Sequence, residues 1–379
     1  MRHAFVALLL AMLLATQGGC GRLWGGACLL PSSEALLLMQ DLAAGSKPRR
    51  LKAMTPAPTR STITYEVNGR TYRGDLYMPG VAPGAGLVVV PGAAEAGKDD
   101  PRLVAFATSL CRARFAVLVP DLQNVRQLRV RPEDTQEVAD AFRYLIAQPR
   151  LTPEGRAGIS AVSYAVGPAI LAALQPDLRD KVDAILAIGG YYDIMNVLTY
   201  AITGQFQTPD GSWHFHPPNP YGKWVYVTSN LDQVGSPEDR ALLETMALRK
   251  IADPEASIDD LVGSLGDEGR NVYAFVTATT PREVAQRFER MPPRIKEGII
   301  GLDVSRHDLS PLSARLILVH GKRDPVIPYT ESMRLDQAAP HAQLYLVNAL
   351  SHVDLGGISL NDMRLLGCAL DDLLSIRVK

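Results

Sequence analysis

The stretch AGISAVSYAVGPAI, residues 157–170, is the part of the chain from which the fold is most directly inferred. AGISAV is a short apolar run typical of a strand buried on both faces, and the residues after it have helical character. Ser163 lies at the junction, so we expect its hydroxyl at the carboxyl end of a sheet. Ala161 and Ala165 are small enough for strand and helix to approach closely. The simpler alternative is that Ser163 only caps a helix.

Strand-like and helix-like segments alternate on both sides of this stretch. Predicted strands cover 86–90, 115–120, 157–162, 182–190, 315–321 and 344–349, and predicted helices cover 100–112, 132–147, 164–174 and 360–374. Repeated β-α-β units indicate the α/β class, with a mostly parallel central sheet and helices on both faces. Asn68-Gly69, between two strand-like runs, predicts a hairpin with a type I′ turn.

The alternation stops between the predicted strands at 182–190 and 315–321. We predict a core formed by residues 61–193 and 313–379, and a largely helical cap insertion over 194–312. A separate domain is the alternative for the insertion, although the strands resume after it with the same character. Residues 21–60, rich in Gly, Pro and basic side chains, are expected to form a tether that contains one short helix.

Two further polar residues follow apolar runs near the C-terminus. Asp324 lies in LILVHGKRDPVIPY, and His352 lies in NALSHVDL after the last predicted strand. A serine hydroxyl needs a base to become a nucleophile, and a histidine base needs a carboxylate to orient it. His352 and Asp324 are therefore candidates for that base and that carboxylate. Asp193, after the preceding predicted strand, is the alternative acid.

These segments resemble those of the α/β-hydrolase superfamily. The stretch around Ser163 resembles its nucleophile elbow, with alanine at both glycines of the usual G-x-S-x-G pattern. The run G-x-x-D-x-x-x-P around Asp324 resembles the acid loop, and the order Ser163, Asp324, His352 is that of the superfamily. The resemblance extends from about Ser61 to the C-terminus without the insertion. It is greatest to the dienelactone-hydrolase and prolyl-oligopeptidase-like branch.

The resemblance also implies an oxyanion hole made of two backbone amides. One is the N–H of Tyr164, directly after the nucleophile. The other comes from the loop PGAAEAGKDD, where the N–H of Ala93 is the first candidate and that of Ala94 the second. Relatives often have His-Gly at the start of this loop, where this chain has Pro91-Gly92.

A serine hydrolase that cleaves carboxylic esters through an acyl-enzyme on Ser163 is the activity that this resemblance implies. Dienelactone hydrolases use cysteine at that position, so their substrate is not inferred. One alternative is a peptidase or amidase of the prolyl-oligopeptidase-like type. Another is a non-catalytic, membrane-tethered binding protein, which the two alanines around Ser163 keep open. The expected ligand is a small-molecule ester, with no cofactor and no metal.

The N-terminus predicts export. Arg2 precedes an apolar run at 4–16 that is short for a membrane span, as in a signal peptide over residues 1–20. Gln17-Gly18-Gly19-Cys20 resembles a bacterial lipoprotein processing site, although Gln17 replaces the usual aliphatic residue. Simple cleavage, lipidation of Cys20 and an uncleaved anchor helix stay open. The expected location is the bacterial periplasm, in free or lipid-anchored form.

The remaining cysteines, Cys28, Cys111 and Cys368, form no C-x-x-C pair, which argues against zinc. A disulfide between two of them is possible in an oxidising compartment, but its pairing cannot be read from the sequence. The formal net charge of −1 gives no indication of nucleic-acid binding. Membrane contact is expected only through the N-terminal lipid, and the sequence leaves the oligomeric state open.

The insertion contains residues with two interpretations. His214 and His216 form a His-x-His pair that suits a metal if both rings face one way, but no nearby acid or cysteine completes a site, which favours packing. Several aromatic residues in or near the insertion either line a substrate pocket or pack the insertion on the core. They are Tyr191, Tyr192, Trp213, Tyr221 and Trp224.

Overall fold

A computed structural model describes residues 28–45, 47–352 and 354–378. The predicted signal peptide and Cys20 lie outside these ranges. Among the described residues, no helix combines the length and the apolar character that a bilayer crossing requires.

Among the described residues, the eight longest strands fall where the sequence predicts them, whereas four strands of two or three residues were not predicted. In chain order they are β1 (Thr59–Val67), β2 (Arg70–Met78), β3 (Ala85–Val90), β4 (Phe115–Pro120), β5 (Ala157–Val162), β6 (Ala184–Ile188), β7 (Gln205–Gln207), β8 (Trp213–Phe215), β9 (Arg315–Gly321), β10 (Ala342–Val347), β11 (Leu350–Ser351) and β12 (Asp354–Leu355). Eight of them form one sheet in the order β1-β2-β4-β3-β5-β6-β9-β10. The six from β4 to β10 pair in parallel, whereas β2 is antiparallel to both β1 and β4. The predicted α/β class with a mostly parallel sheet is confirmed.

Helices connect the strands and cover the sheet. They are α1 (Ser33–Ala44), α2 (Arg50–Met54), α3 (Pro101–Arg112), α4 (Gln123–Arg126), α5 (Glu133–Ile146), α6 (Val166–Ala173), α7 (Ile194–Thr203), α8 (Gly222–Ser229), α9 (Pro237–Ala252), α10 (Asp259–Val262), α11 (Asp267–Val276), α12 (Pro281–Phe288), α13 (Pro293–Ile300), α14 (Thr330–Ala338) and α15 (Leu360–Leu374). The hairpin turn between β1 and β2 has a positive φ at both Asn68 and Gly69. This is the backbone conformation that a type I′ turn requires.

Two apolar cores lie on opposite faces of the sheet. In β3, Val88 and Val90 belong to one core, whereas Leu87 and Val89 belong to the other, because successive side chains of a strand point to opposite faces. The first core, here called the insertion-side core, contains apolar residues of α5 and α6. The second, here called the terminal-helix core, contains residues of α1, α3 and α15.

Residues 194–312 contain α7 to α13 and the β7–β8 hairpin, so the segment is largely helical. Most of its buried apolar residues, such as Trp224, Leu243 and Phe275, belong to the insertion-side core. The inserted helices are therefore packed together with α5 and α6. The division into core and cap stays a prediction.

The described part of the segment predicted as a tether, 28–45 and 47–60, packs on the fold. Leu38 of α1 is fully buried in the terminal-helix core, and Leu51 of α2 joins it. The buried Asp41 side chain accepts hydrogen bonds from Lys52 (2.6 Å) and Ser109 (2.7 Å). These contacts correct the prediction, which gave weight to Gly, Pro and charge and too little to the apolar face of α1.

A disulfide joins this N-terminal segment to the last helix. Cys28 and Cys368 are bonded over a separation of 340 residues, whereas Cys111 is a free, buried thiol whose pKa burial raises to about 12. A cross-link that closes a long loop reduces the freedom of the unfolded chain and so favours the folded state. The sequence left this pairing open.

We predict that the double change Cys28→Ala/Cys368→Ala lowers the free energy of unfolding by about 2–4 kcal/mol. Thermal unfolding with and without dithiothreitol measures this. The reductant should lower the melting temperature of the parent protein and of a Cys111→Ala control, and leave that of the double variant unchanged. A parent protein insensitive to reductant contradicts the prediction.

Candidate active site

Ser163 lies on a sharp turn between β5 and α6. Its φ is +56°. A residue with a side chain adopts this left-handed backbone conformation only where the surroundings enforce it. One turn of 3₁₀ helix, Ser163–Ala165, leads directly into α6. Ala161 and Ala165 are buried on either side, so the alanines fill the positions of the usual glycines in this strand–turn–helix arrangement.

The turn lies where the strand order of the sheet reverses. The chain goes from β3 to β4 on one side and returns to β5 on the other, which leaves a crevice at the carboxyl ends of β3 and β5. The loop after β3 passes close to Ser163: a Cβ on Gly92 would lie 3.2 Å from the carbonyl oxygen of Val162 and 3.5 Å from Cβ of Ser163. Ala93 and Ala94, the predicted oxyanion candidates, line one cavity with Ser163.

Asp324 is held rigidly in the loop after β9. Its side chain is fully buried, and Oδ1 accepts hydrogen bonds from the amides of Val326 (2.8 Å) and Ile327 (2.9 Å). Oδ2 lies 2.8 Å from Nδ1 of His352. The two amides fix the carboxylate so that its second oxygen faces the histidine.

His352 occupies the turn between β11 and β12, and its φ is also +56°. Its Nε2 lies 2.8 Å from Oγ of Ser163. The turn approaches the end of β9 closely, since a Cβ on Gly321 would clash with the carbonyl of Leu350. The three side chains that the sequence predicts to meet therefore form one hydrogen-bonded chain.

A second histidine, His320 of β9, also contacts the acid. Burial alone would raise the pKa of Asp324, but hydrogen bonds from His320 and His352 outweigh it and hold that pKa below its usual value. Nε2 of His320 lies 3.4 Å from Oδ2 of Asp324, and its Nδ1 is 2.7 Å from Oγ of Ser332. The sequence analysis did not single out His320, although a polar residue within an apolar strand was a signal for it.

Asp193, the alternative acid, has a different role in the structure. Its Oδ1 accepts hydrogen bonds from the amides of Met195 and Asn196, which caps the start of α7. Burial raises its pKa. Beneath it, the fully buried Glu331 accepts from the amides of Tyr192 and Asp193, and burial raises the pKa of Glu331 to about 7. These acids stabilise the loop after β6.

The residue after Ser163 is anchored through its side chain. The hydroxyl of Tyr164 lies 2.8 Å from Oδ2 of the buried Asp134 and accepts a hydrogen bond from the amide of Arg131. Burial raises the pKa of both Tyr164 and Asp134. Arg131 also forms an ion pair with Asp232 of the inserted segment at 2.8 Å. This network links the turn at Ser163 to the insertion, and no pattern in the sequence indicated it.

The aromatic residues divide between the two interpretations. Tyr221 lines the cavity at Ser163. Tyr191 and Trp224 are buried in the insertion-side core, Tyr192 packs against that core, and Trp213 is half-exposed.

In the His-x-His pair, the His214 ring stacks on Phe206 and Nδ1 of His216 lies 3.1 Å from the hydroxyl of Tyr200. Within the ranges the structure describes, no group of three or more His, Cys, Asp or Glu side chains is placed to hold a metal ion.

Comparisons with known proteins identify the fold. No protein-family model and no curated sequence matches the chain. Among solved structures, it is similar to a protein from Legionella pneumophila that was provisionally described as a hydrolase, with a TM-score of 0.52, 12% identity and coverage of 91% of this chain and 93% of that one. The chain has the α/β-hydrolase fold.

Two further solved structures are more distant. An esterase from Pyrobaculum calidifontis has a TM-score of 0.46 at 13% identity, with 90% of each chain covered. A dienelactone hydrolase from Anabaena variabilis has a TM-score of 0.45 at 12% identity, with 86% of this chain and 100% of that one covered.

The bond between His352 and Asp324 predicts the tautomer of the histidine. An ionised carboxylate only accepts hydrogen bonds, so the neutral ring must carry its proton on Nδ1. Side-chain ¹H–¹⁵N NMR should detect this Nδ1–H, and Asp324→Asn should shift the ring toward the other tautomer. The control Asp193→Asn, which keeps a capping side chain, should leave the His352 signals unchanged. An Nε2–H tautomer in the parent protein contradicts the assignment.

Proposed function

We propose that the protein is a serine hydrolase that cleaves carboxylic esters. The observation that carries the proposal is the unbroken chain from Oγ of Ser163 to Nε2 of His352 and from Nδ1 of His352 to Oδ2 of Asp324, with both distances 2.8 Å. This is the arrangement needed for an alcohol to lose its proton as it attacks a carbonyl.

Each residue has a distinct part in the proposed reaction. His352 accepts the proton of Ser163 as Oγ attacks the ester carbonyl, and Asp324 stabilises the imidazolium that results. His352 then donates the proton to the departing alcohol, which leaves an acyl group on Oγ. In the second half, His352 takes a proton from water as the water oxygen attacks the acyl carbon, and then returns that proton to Oγ of Ser163 as the bond from Oγ to the acyl group breaks and the acid is released.

Two backbone amides are proposed to bind the oxyanion. The N–H of Tyr164 is at the beginning of the short helical turn that leads into α6, where amides have no carbonyl partner in the preceding turn. Ala93 follows Gly92, whose Cα lies beside the turn at Ser163. The anchored ring of Tyr164 supports its role, because it fixes the peptide that would carry the first amide.

The charges around the cavity favour an ester over a peptide with a free amine. A carboxylate would be needed to bind an ammonium group. Asp100, which lines the cavity, is already paired with Arg102 at 2.9 Å and accepts a hydrogen bond from the amide of Arg102. Most of the remaining lining is apolar or small. A peptidase of the prolyl-oligopeptidase-like type has less support from these contacts.

The disulfide supports the prediction of export, because disulfides persist mainly in oxidising compartments. Cleavage of a signal peptide and lipidation of Cys20 stay predictions from the sequence.

The proposal predicts that Ser163→Ala lowers kcat for p-nitrophenyl acetate by roughly 10³-fold or more, because the acyl-enzyme can no longer form. Steady-state assays on p-nitrophenyl esters and, in parallel, on aminoacyl p-nitroanilides measure this.

Ser160→Ala is the matched control. Ser160 is also on β5 and is fully buried, and its hydroxyl makes no hydrogen bond within the described part of the chain. Removing an unpaired buried hydroxyl should change kcat by no more than about twofold. Unchanged ester hydrolysis in Ser163→Ala contradicts the proposal, and faster cleavage of anilides than of esters favours the peptidase.

A further inference from the structure

A large apolar cavity extends from the candidate active site. Its volume is about 990 Å³, and Ser163 and His352 both line it. This volume is toward the upper end of the range for small-molecule sites. The cavity does not follow the inserted segment, where the fold class usually places specificity. It extends along the opposite face of the sheet, beneath helices from the two ends of the chain.

The walls of the cavity come from three helices of the terminal-helix core. Each helix contributes two large apolar side chains: Met39 and Leu42 from α1, Leu103 and Phe106 from α3, and Leu366 and Leu370 from α15. The disulfide between Cys28 and Cys368 ties the chain just before α1 to α15. Two walls of the cavity are therefore covalently connected.

The floor of the cavity is the sheet itself. Leu186 and Ile188 of β6 and Val319 of β9 line it, and Ile188 is paired in register with Val319. Leu186 and Val319 are buried members of the terminal-helix core. The space is thus a cleft in an apolar core that opens at the carboxyl ends of the strands, where Ser163 lies.

The inserted segment contributes little to this cavity. Asn219 and Tyr221 line it, and the amide of Asn219 donates to the carbonyl of Pro325 at 3.0 Å, next to Asp324. Most of the large buried side chains of the insertion, such as Trp224 and Phe275, belong to the core on the other face of the sheet. Its charged lining residues, Asp100 and Arg102, lie at the start of α3 and are paired with each other, and its apolar walls lie away from the insertion.

We propose that this cavity binds the unbranched aliphatic acyl chain of the ester, and that α1 and α15 set the length of chain accepted. The proposal rests on the proposed function, since it names the substrate class of the same site.

Two physical arguments favour an acyl chain. The walls and floor are aliphatic or aromatic, so they gain from removing methylene groups from water and offer little to a polar chain. In the acyl-enzyme, moreover, the acyl chain stays attached to Oγ of Ser163 while the alcohol departs. Binding of the acyl chain would therefore hold the ester through both halves of the reaction.

The first experiment measures kcat/KM for p-nitrophenyl esters from acetate to palmitate, below their critical micelle concentrations. Each methylene buried in the cavity should raise kcat/KM by up to about fourfold until the cavity is filled. A second series, acetate esters of alcohols of increasing length, should show no such rise. A rise in the alcohol series instead of the acyl series overturns the assignment.

The second experiment narrows the cavity by enlarging a side chain in its wall. Ala369 of α15 is buried and lines the cavity. Ala369→Phe should therefore lower the ratio of decanoate to acetate kcat/KM by at least about tenfold, the loss of roughly two methylenes of binding. Leu360→Phe is the control on the same helix, because Leu360 is 81% exposed and does not line the cavity. Its ratio should match that of the parent protein.

Ala43→Trp gives a second test from the other wall. Ala43 lines the cavity from α1 and is exposed on its other side, so a larger side chain is less costly to folding there than at Ala369. Thermal unfolding of each variant checks that it is folded. Ratios that stay at the parent value in both folded variants overturn the proposal.

The two proposals fail in different ways. A protein that hydrolyses p-nitrophenyl acetate through Ser163 but gains nothing from longer acyl chains overturns the cavity assignment and leaves the proposed function intact. A protein that hydrolyses no ester of either series overturns the proposed function, and the acyl-chain assignment with it.

Discussion

The hydrogen bond between Nε2 of His352 and Oγ of Ser163 is the contact on which the functional account depends. The two residues are 189 positions apart, and Asp324 comes from a third loop. They meet because β5, β6, β9 and β10 are parallel neighbours whose carboxyl ends lie at one edge of the sheet. Because both faces of the sheet are buried, this edge is where the three side chains can meet.

The loops at this edge are held by hydrogen bonds, and two of their residues have a strained backbone conformation. Asp324 is fixed by two amides, and Tyr164 is fixed by Asp134. Ser163 and His352 both have a φ of +56°. The surrounding packing must enforce this conformation. In the proposed reaction, such rigid support would keep the reacting groups within hydrogen-bonding distance before a substrate arrives, and so would reduce the reorganisation required.

The sequence predicted much of this arrangement because its signals are local. The apolar run of β5 ends at Ser163, so strand periodicity located the serine. The resemblance of the G-x-x-D-x-x-x-P run after β9, and of the loop at His352, to α/β-hydrolase segments supplied the other two residues. The contacts that it did not predict are long-range. Nothing near Cys28 indicates Cys368, and nothing near α1 shows that it forms a cavity wall together with α15. The role of His320 depends on a ring orientation that periodicity does not encode.

The central claim is that Ser163 is a nucleophile activated by its neighbours. Labelling the intact protein with a fluorophosphonate, followed by peptide mass spectrometry, tests this most directly, because the reagent needs an activated serine but no knowledge of the natural ester. The account predicts one covalent adduct, on the peptide that contains Ser163. A folded protein that remains unlabelled, or that carries its adduct on another residue, contradicts it.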